Sequence, residues 1–141
     1  MNNLKQLAVV TILAAMACTG LLAQTVDMTA TIPFDFQAGN KLMPAGEYQV
    51  HEQGTWVILR SLDGSKSVAT VLTNAATGAD RNRDARIEFH RYGGAYFLTT
   101  IWYPYSGDGR DVPQTSRERE LAKRYGAPSK SAVVLAVNNN K

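Results

Sequence analysis

Apolar and polar residues alternate with a period of two over most of this chain, the signature of strands with one buried and one wet face. Val26, Met28, Ala30, Ile32 and Phe34 alternate with Asp27, Thr29 and Thr31, which predicts a first half-buried strand that exits at Pro33. Gln37 to Gly46 holds Gly39-Asn40 and Pro44-Ala45-Gly46, both turn chemistry. Tyr48 and Val50 open a second strand, with Gln49 and His51 on its other face. Gly54 turns the chain into an apolar strand from Trp56 to Leu62. Asp63-Gly64 then predicts a two-residue type I′ hairpin, because both central positions of that turn need φ > 0. Val68 to Leu72 returns, and these three strands are expected to form an antiparallel meander.

Thr73 to Asp84 is polar and reads as a loop or mobile lid. Arg86 to Arg91 and Tyr96 to Tyr103 predict a second hairpin across Gly93-Gly94, and Pro104 to Pro113 reads as another loop. Thr115 followed three residues later by Glu118 is a capping box, and Gly126 before Pro128 is a stop, so one short helix lies between them. Leu121, Ala122 and Tyr125 give it a narrow apolar stripe suited to docking on a sheet. Ala132 to Val137 predicts a last strand, and 138–141 a polar tail. The expected fold is mainly β: a small antiparallel β-barrel or sandwich of about seven strands with one short helix. The strands Trp56 to Leu62, Tyr96 to Tyr103 and Ala132 to Val137 are apolar on both faces, so their outward faces require a cover from the helix, a loop or a partner chain.

The N-terminus changes the picture from a cytoplasmic domain to an exported one. Lys5 supplies a positive n-region, Leu7 to Ala17 an uncharged apolar run, and Ala23 a small residue before Gln24. Residues 1–23 therefore read as a cleaved signal peptide and 24–137 as a single β domain, periplasmic or extracellular. The apolar run is too short to span a hydrocarbon core, which takes about 20 residues. Ala15-Met16-Ala17-Cys18 offers the alternative of a lipoprotein box, but the apolar Leu21-Leu22 after Cys18 extends the h-region instead of forming a tether. Cys18 is the one cysteine, so cleavage after Ala23 leaves a domain without a disulfide. Loss of Lys5 from the 15 Lys+Arg leaves 14 against 12 Asp+Glu. That balance is no footprint for nucleic acid.

Several phrases resemble a group of small exported bacterial proteins that has no assigned function. They are Ile32-Pro33-Phe34-Asp35-Phe36, Leu42-Met43-Pro44-Ala45-Gly46-Glu47-Tyr48, Arg60-Ser61-Leu62-Asp63-Gly64 and Phe89-His90-Arg91-Tyr92-Gly93. Tyr96-Phe97-Leu98 and Arg117-Glu118-Arg119-Glu120-Leu121-Ala122 complete the set. The resemblance implies an exported β domain and carries over no catalytic residue. Gly54-Thr55-Trp56 is similar to the Gly-x-Trp signature of lipocalin-like ligand barrels, where it opens the first strand; here two strands precede it.

Candidate chemistry is sparse. His51 and His90 are expected on the wet faces of their strands, and pairing them with Glu52 and Glu88 as a metal site finds no ligand spacing in support. No Gly-x-Ser-x-Gly occurs, and Ser61, Ser65, Ser67 and Ser106 fall in strand or turn contexts. Asp108-Gly109-Arg110-Asp111 lacks the alternating oxygen ligands and closing Glu of a calcium loop, and reads as a Gly-rich turn. Arg81, Arg83 and Arg86 are interleaved with Asp80 and Asp84, and the helix mixes both signs, the pattern of solvated surfaces. No catalytic, metal or cofactor residue is assigned.

The most suggestive feature is aromatic. Tyr92, Tyr96, Trp102, Tyr103 and Tyr105 cluster along the second hairpin and the loop leaving it, an arrangement suited to an envelope protein or glycan partner. By alternation, Trp102 falls with Tyr96 and Leu98, and Tyr103 with Phe97 and Ile101. The expected function is an exported, non-enzymatic module with a structural or partner-binding role. A small β-barrel carrier of an apolar ligand is the alternative, and a hydrolase the third reading. An outer-membrane barrel is disfavoured, since the strands run about six to nine residues against about 10 for such barrels.

Overall fold

A computed structural model describes residues 27–78, 80, 83–128 and 132–138. The predicted signal peptide with Cys18, and likewise Val26, Arg81 and residues 139–141, lie outside the described residues. The elements are β1 (Asp27–Ile32), β2 (Phe36–Ala38), β3 (Lys41–Met43), β4 (Gly46–Gln53), β5 (Trp56–Ser61) and β6 (Val68–Leu72). They continue with β7 (Asn74–Thr77), β8 (Arg86–Tyr92), β9 (Ala95–Trp102), β10 (Asp108–Asp111), α1 (Ser116–Tyr125) and β11 (Ala132–Asn138).

One sheet runs β11-β1-β4-β5-β6, and within it β4, β5 and β6 form the expected antiparallel meander. The second runs β3-β2-β9-β8-β11, and β10 pairs the C-terminal half of β9 and then β7. The sheets share β11, whose first part pairs β8 and whose last part pairs β1. They are also joined where β6 passes through Thr73 into β7. The Thr73 N–H and hydroxyl both donate to the Thr55 carbonyl, each at 2.8 Å. The hydrogen-bonded path ends at β3 and β6 without closing, so of the two expected architectures the molecule is sandwich-like and not a closed barrel.

Among the described residues eleven strands stand where about seven were expected. The additions, β2, β3, β7 and β10, are three or four residues long, too short for alternation to show. Gly39-Asn40 is a tight turn between β2 and β3, with Ala38 opposite Lys41. The segments read as loops at 73–84 and 104–113 contribute β7 and β10, which pair with each other. Gly109, read as part of a turn, is instead required in a strand: a Cβ there would lie 2.3 Å from the Ile101 carbonyl oxygen and 2.8 Å from the Trp102 ring. The connection after β5 also departs from the two-residue turn and spans Leu62 to Ser67. There the Asp63 carboxylate accepts from the Ser61 hydroxyl and from the Ser65 N–H at 3.1 Å, organising a longer loop.

Alternation fails once within a long strand. The pairing of β8 with β9 shifts register between Glu88 and Phe89, placing an extra residue in β9. As a result Leu98 and Ile101 both join the core, while Phe97 is buried on the opposite face against Tyr92, and the parity that grouped Trp102 with Leu98 does not hold. The core between the sheets is filled by Met28, Ile32, Tyr48, Val57 and Leu59 from one side. Phe36, Met43, Ile87, Phe89 and Ile101 meet them from the other. Phe89 meets the rings of Phe34 and Phe36 edge-on at 5.0 and 5.4 Å.

Phe89 is fully buried, so Phe89→Ala should lower the unfolding free energy by about 3–5 kcal/mol in urea titration. Leu62→Ala, at an exposed loop position, should change it by about 0.5 kcal/mol or less. Similar losses for both would show that the sandwich interior is not where stability resides.

Candidate functional site

Along β5, Val57, Leu59 and Ser61 point into the sandwich, which puts Trp56, Ile58 and Arg60 on the outer face of the first sheet. The same parity puts Gln49, His51 and Gln53 of β4 there, with Asp27 and Thr29 of β1 and Val68, Thr70 and Leu72 of β6. Register arranges them in rows across the strands. Gln53, Trp56 and Leu72 form one row, Asp27, His51, Ile58 and Thr70 the next, and Thr29, Gln49, Arg60 and Val68 a third. Trp56 and Leu72 are 46% and 52% exposed. They are direct cross-strand neighbours, so their apolar area is contiguous. Beside them Asp27, Gln49, His51, Ile58 and Arg60 line a dish of about 310 Å³. His51 Nδ1 lies 2.5 Å from Asp27 Oδ1, which fixes the ring within that dish. The helix does not cover this face, since α1 packs on β8 of the other sheet.

The aromatic hairpin is built differently. Tyr92 is 3% exposed and packs on Phe97. Tyr96 stacks on Phe34 at 3.8 Å and carries the Arg91 guanidinium over its ring. Trp102 is half-buried beneath Arg86, 5.2 Å from its ring centre, and its Nε1 and the Tyr103 hydroxyl are buried without a hydrogen-bond partner among the described residues. Tyr105 is exposed at 68%, with its hydroxyl donating to Asp84 at 2.8 Å. The five residues thus do not line one exposed surface. Contacts with Phe97 and Glu118 bury Tyr92, Phe34 stacks on Tyr96 and Arg86 lies over Trp102, so that of the five Tyr105 is the exposed one.

Neither histidine joins its candidate metal partner. Glu52 receives the Arg110 guanidinium at 2.8 and 2.5 Å, and Glu88 accepts from Arg86 at 3.1 Å. His90 Nδ1 is 2.9 Å from Glu118, which also accepts from the Tyr92 hydroxyl at 3.3 Å. Among the described residues no group of three or more His, Cys, Asp or Glu is arranged to hold a metal ion. Ser61 and Ser65 bond to each other and to Asp63, which commits them to the loop. Ser106 accepts from the Asp108 N–H at 3.1 Å.

Glu118 shows what the capping box does here. Thr115 Oγ1 accepts from the Glu118 N–H at 3.2 Å, and the helix ends at Gly126. The Glu118 carboxylate, 3% exposed, turns to β8 and not back to the cap. Leu121 and Ala122 are only half-buried and Tyr125 is exposed, so the helix docks through this carboxylate more than through the expected apolar stripe. At the other end of the sandwich, Arg110 of β10 reaches across to Glu52 of β4, an ion pair linking the two sheets. Burial, then the neighbouring Glu52 carboxylate, push the Tyr103 phenol far above its ordinary range. Burial also raises Tyr48 and Tyr92, with Asp63 and Glu118 as the respective charged neighbours.

Sequence reasoning missed Trp56 and Leu72 as a surface. The signal was present in a strand apolar on both faces, with no cover assigned to one of them. Comparison with protein-family models, curated proteins and solved structures finds no match for this chain.

Glu118→Ala leaves His90 and Tyr92 without their acceptor, and should cost about 1–3 kcal/mol of stability with loss of helical circular dichroism. Unchanged helicity would mean that α1 is held by its apolar contacts instead. Tyr48, Tyr92 and Tyr103 hold their protons more tightly in the folded state than in the unfolded chain, where tyrosine ionises near pH 10. Their contribution is therefore complete below about pH 10 and is lost as pH rises above it. Tyrosinate absorbance should appear partly in step with alkaline unfolding, whereas ionisation of every tyrosine in a folded protein near pH 10 would contradict these burials.

Proposed function

We propose that this protein is an exported, non-enzymatic module that binds a partner through its exterior, with the outer face at Trp56, Ile58 and Leu72 as its working surface. One observation carries the reading: a contiguous Trp-Leu pair stands uncovered on a sheet whose inner face is filled by close-packed side chains. A large ring flanked by Gln53, Gln49, His51 and Arg60 offers apolar area with polar groups at its rim, the composition of a recognition surface for an envelope protein or glycan. The filled core supports this reading over a carrier of an apolar ligand. The commitment of the serines and histidines to structural bonds supports it over a hydrolase.

The test is Trp56→Ala, with Leu72→Ser as its companion, measured for thermal stability and for retention on immobilised envelope proteins and cell-wall glycans. Both variants should stay folded, and retention should weaken by about 2 kcal/mol, or roughly thirtyfold. A loss of stability of about 3 kcal/mol or more would make Trp56 a core residue and overturn the reading. Saturable one-to-one uptake of an apolar fluorophore, indifferent to both substitutions, would favour the carrier instead.

A further inference from the structure

The first sheet ends at β6, and the free side of that strand is not bare to solvent but sits in a groove. The Ser61 N–H donates to the Ser67 carbonyl and the Thr73 N–H to the Thr55 carbonyl, each at 2.8 Å. With the register Leu59↔Ala69 and Val57↔Val71, this places the odd-numbered backbone groups of β6 toward β5. The backbone groups of Val68, Thr70 and Leu72 consequently point away from the sheet. Lys41 Nζ donates to the Val68 carbonyl at 2.5 Å. Among the described residues the backbone groups of Thr70 and Leu72 find no partner on that side.

The groove beside this edge has a volume of about 620 Å³. Its far walls are the β2–β3 turn at 38–41 and the segment 112–116 that leads into α1, with Arg119 beyond. Among the described residues Lys41 and Arg119 are the charged side chains lining it, and no carboxylate does so. An unpaired strand edge exposes a ladder that a second strand can complete, and natural edges are usually blunted by short strands, by charge or by a cover. Here a single lysine blunts one carbonyl and leaves the rest of the ladder open.

We propose that β6 is a strand-addition site that takes an extended, acidic peptide segment of a partner protein. The proposal rests on the partner-binding reading above and names the mode of binding. Three features select this occupant. The open ladder at Thr70 and Leu72 supplies sequence-independent hydrogen bonds to an extended backbone. The two cations, unopposed by any carboxylate, complement acidic side chains. Because β2 and β3 pack against β6 across the seam, the ladder runs beside a wall, which favours a lone extended segment over the edge of a whole second sheet. Outward side chains of the added strand would fall beside Val68, Thr70 and Leu72, extending the row that holds Trp56.

The probe is a fluorescein-labelled, end-blocked peptide that alternates valine and threonine and carries glutamates. It is titrated against the folded protein by fluorescence anisotropy. Saturable binding is expected, with Thr70 and Leu72 amides slowed in hydrogen exchange when the peptide is bound. Lysine in place of the glutamates, or N-methylation of alternate peptide amides, should each weaken binding at least tenfold. Thr70→Pro removes an N–H that faces the open edge, a position where proline is tolerated, and should abolish binding in a folded protein. If that variant does not fold, Lys41→Glu with Arg119→Glu, both at exposed positions, should weaken the acidic peptide at least tenfold and improve the lysine peptide. Equal binding of the acidic, basic and N-methylated peptides would overturn the proposal, as would no saturable binding. Dimerisation in sedimentation that Thr70→Pro abolishes would assign the edge to a second copy and overturn it too. Peptide failure alongside Trp56-dependent retention on envelope components would remove strand addition alone, whereas loss of both would remove the partner-binding reading.

Discussion

Strand β11 gives residues 132–135 to β8 and residues 136–138 to β1, and among the described residues no other strand pairs directly with both sheets. A strand that crosses from one sheet to the other fixes their separation and relative angle, because its backbone ladder must be satisfied on both sides of the corner. The Ala136 N–H donates to the Ala85 carbonyl at 2.9 Å beside that corner, where both alanines are buried and small enough to let the layers meet. With this side closed by β11, no backbone ladder among the described residues joins β3 to β6 on the opposite side, where the Lys41 side chain and the turn at Thr73 make the link. The two free edges, β3 and β6, are therefore brought face to face. The groove follows from the same constraint that holds the sandwich together.

Polar contacts complete what the apolar core begins. The sequence holds one cysteine, Cys18, so no disulfide crosses the sandwich between its described residues. Arg110 to Glu52 spans the sheets at one end, and Glu118 ties the helix to β8 through His90 and Tyr92. Such buried polar contacts add little net stability once desolvation is counted, but breaking one leaves its partner stranded. They serve to fix geometry: Gly109 must lie against Ile101 for Arg110 to reach Glu52, and Thr115 must cap α1 for Glu118 to face β8.

Much of this was legible in the residues. The meander, the Gly93-Gly94 hairpin and both ends of the helix follow from alternation, turn chemistry and capping, which are local properties. The short strands were not, because β7 and β10 exist only as partners for each other and for β9. The placement of the five aromatic residues was hidden for a related reason. A single extra residue in β9 reverses parity, and only pairing with β8 reveals where it sits. Trp56 could be placed on its strand but not on a face left open, since that depends on where the helix docks. The decisive residue there is Glu118, a charged side chain that no count of apolar positions would choose as an anchor.

Placing the helix on β8 has a consequence for the other sheet. A helix with one face of modest hydrophobicity can cover only one layer, and the contact that recruits it is a hydrogen-bonded carboxylate available at one place. Among the described residues no element covers the outer face of β4, β5 and β6, where exposed Trp56 stands beside Leu72 with the open ladder of β6 one strand away. A wholly hydrophobic face and a bare edge together would invite indiscriminate pairing. Here Gln49, His51 and Arg60 interrupt the apolar area, and Lys41 occupies the first carbonyl of the edge. These polar residues impose a cost on any partner that cannot replace their bonds, which is how a sticky surface becomes a selective one.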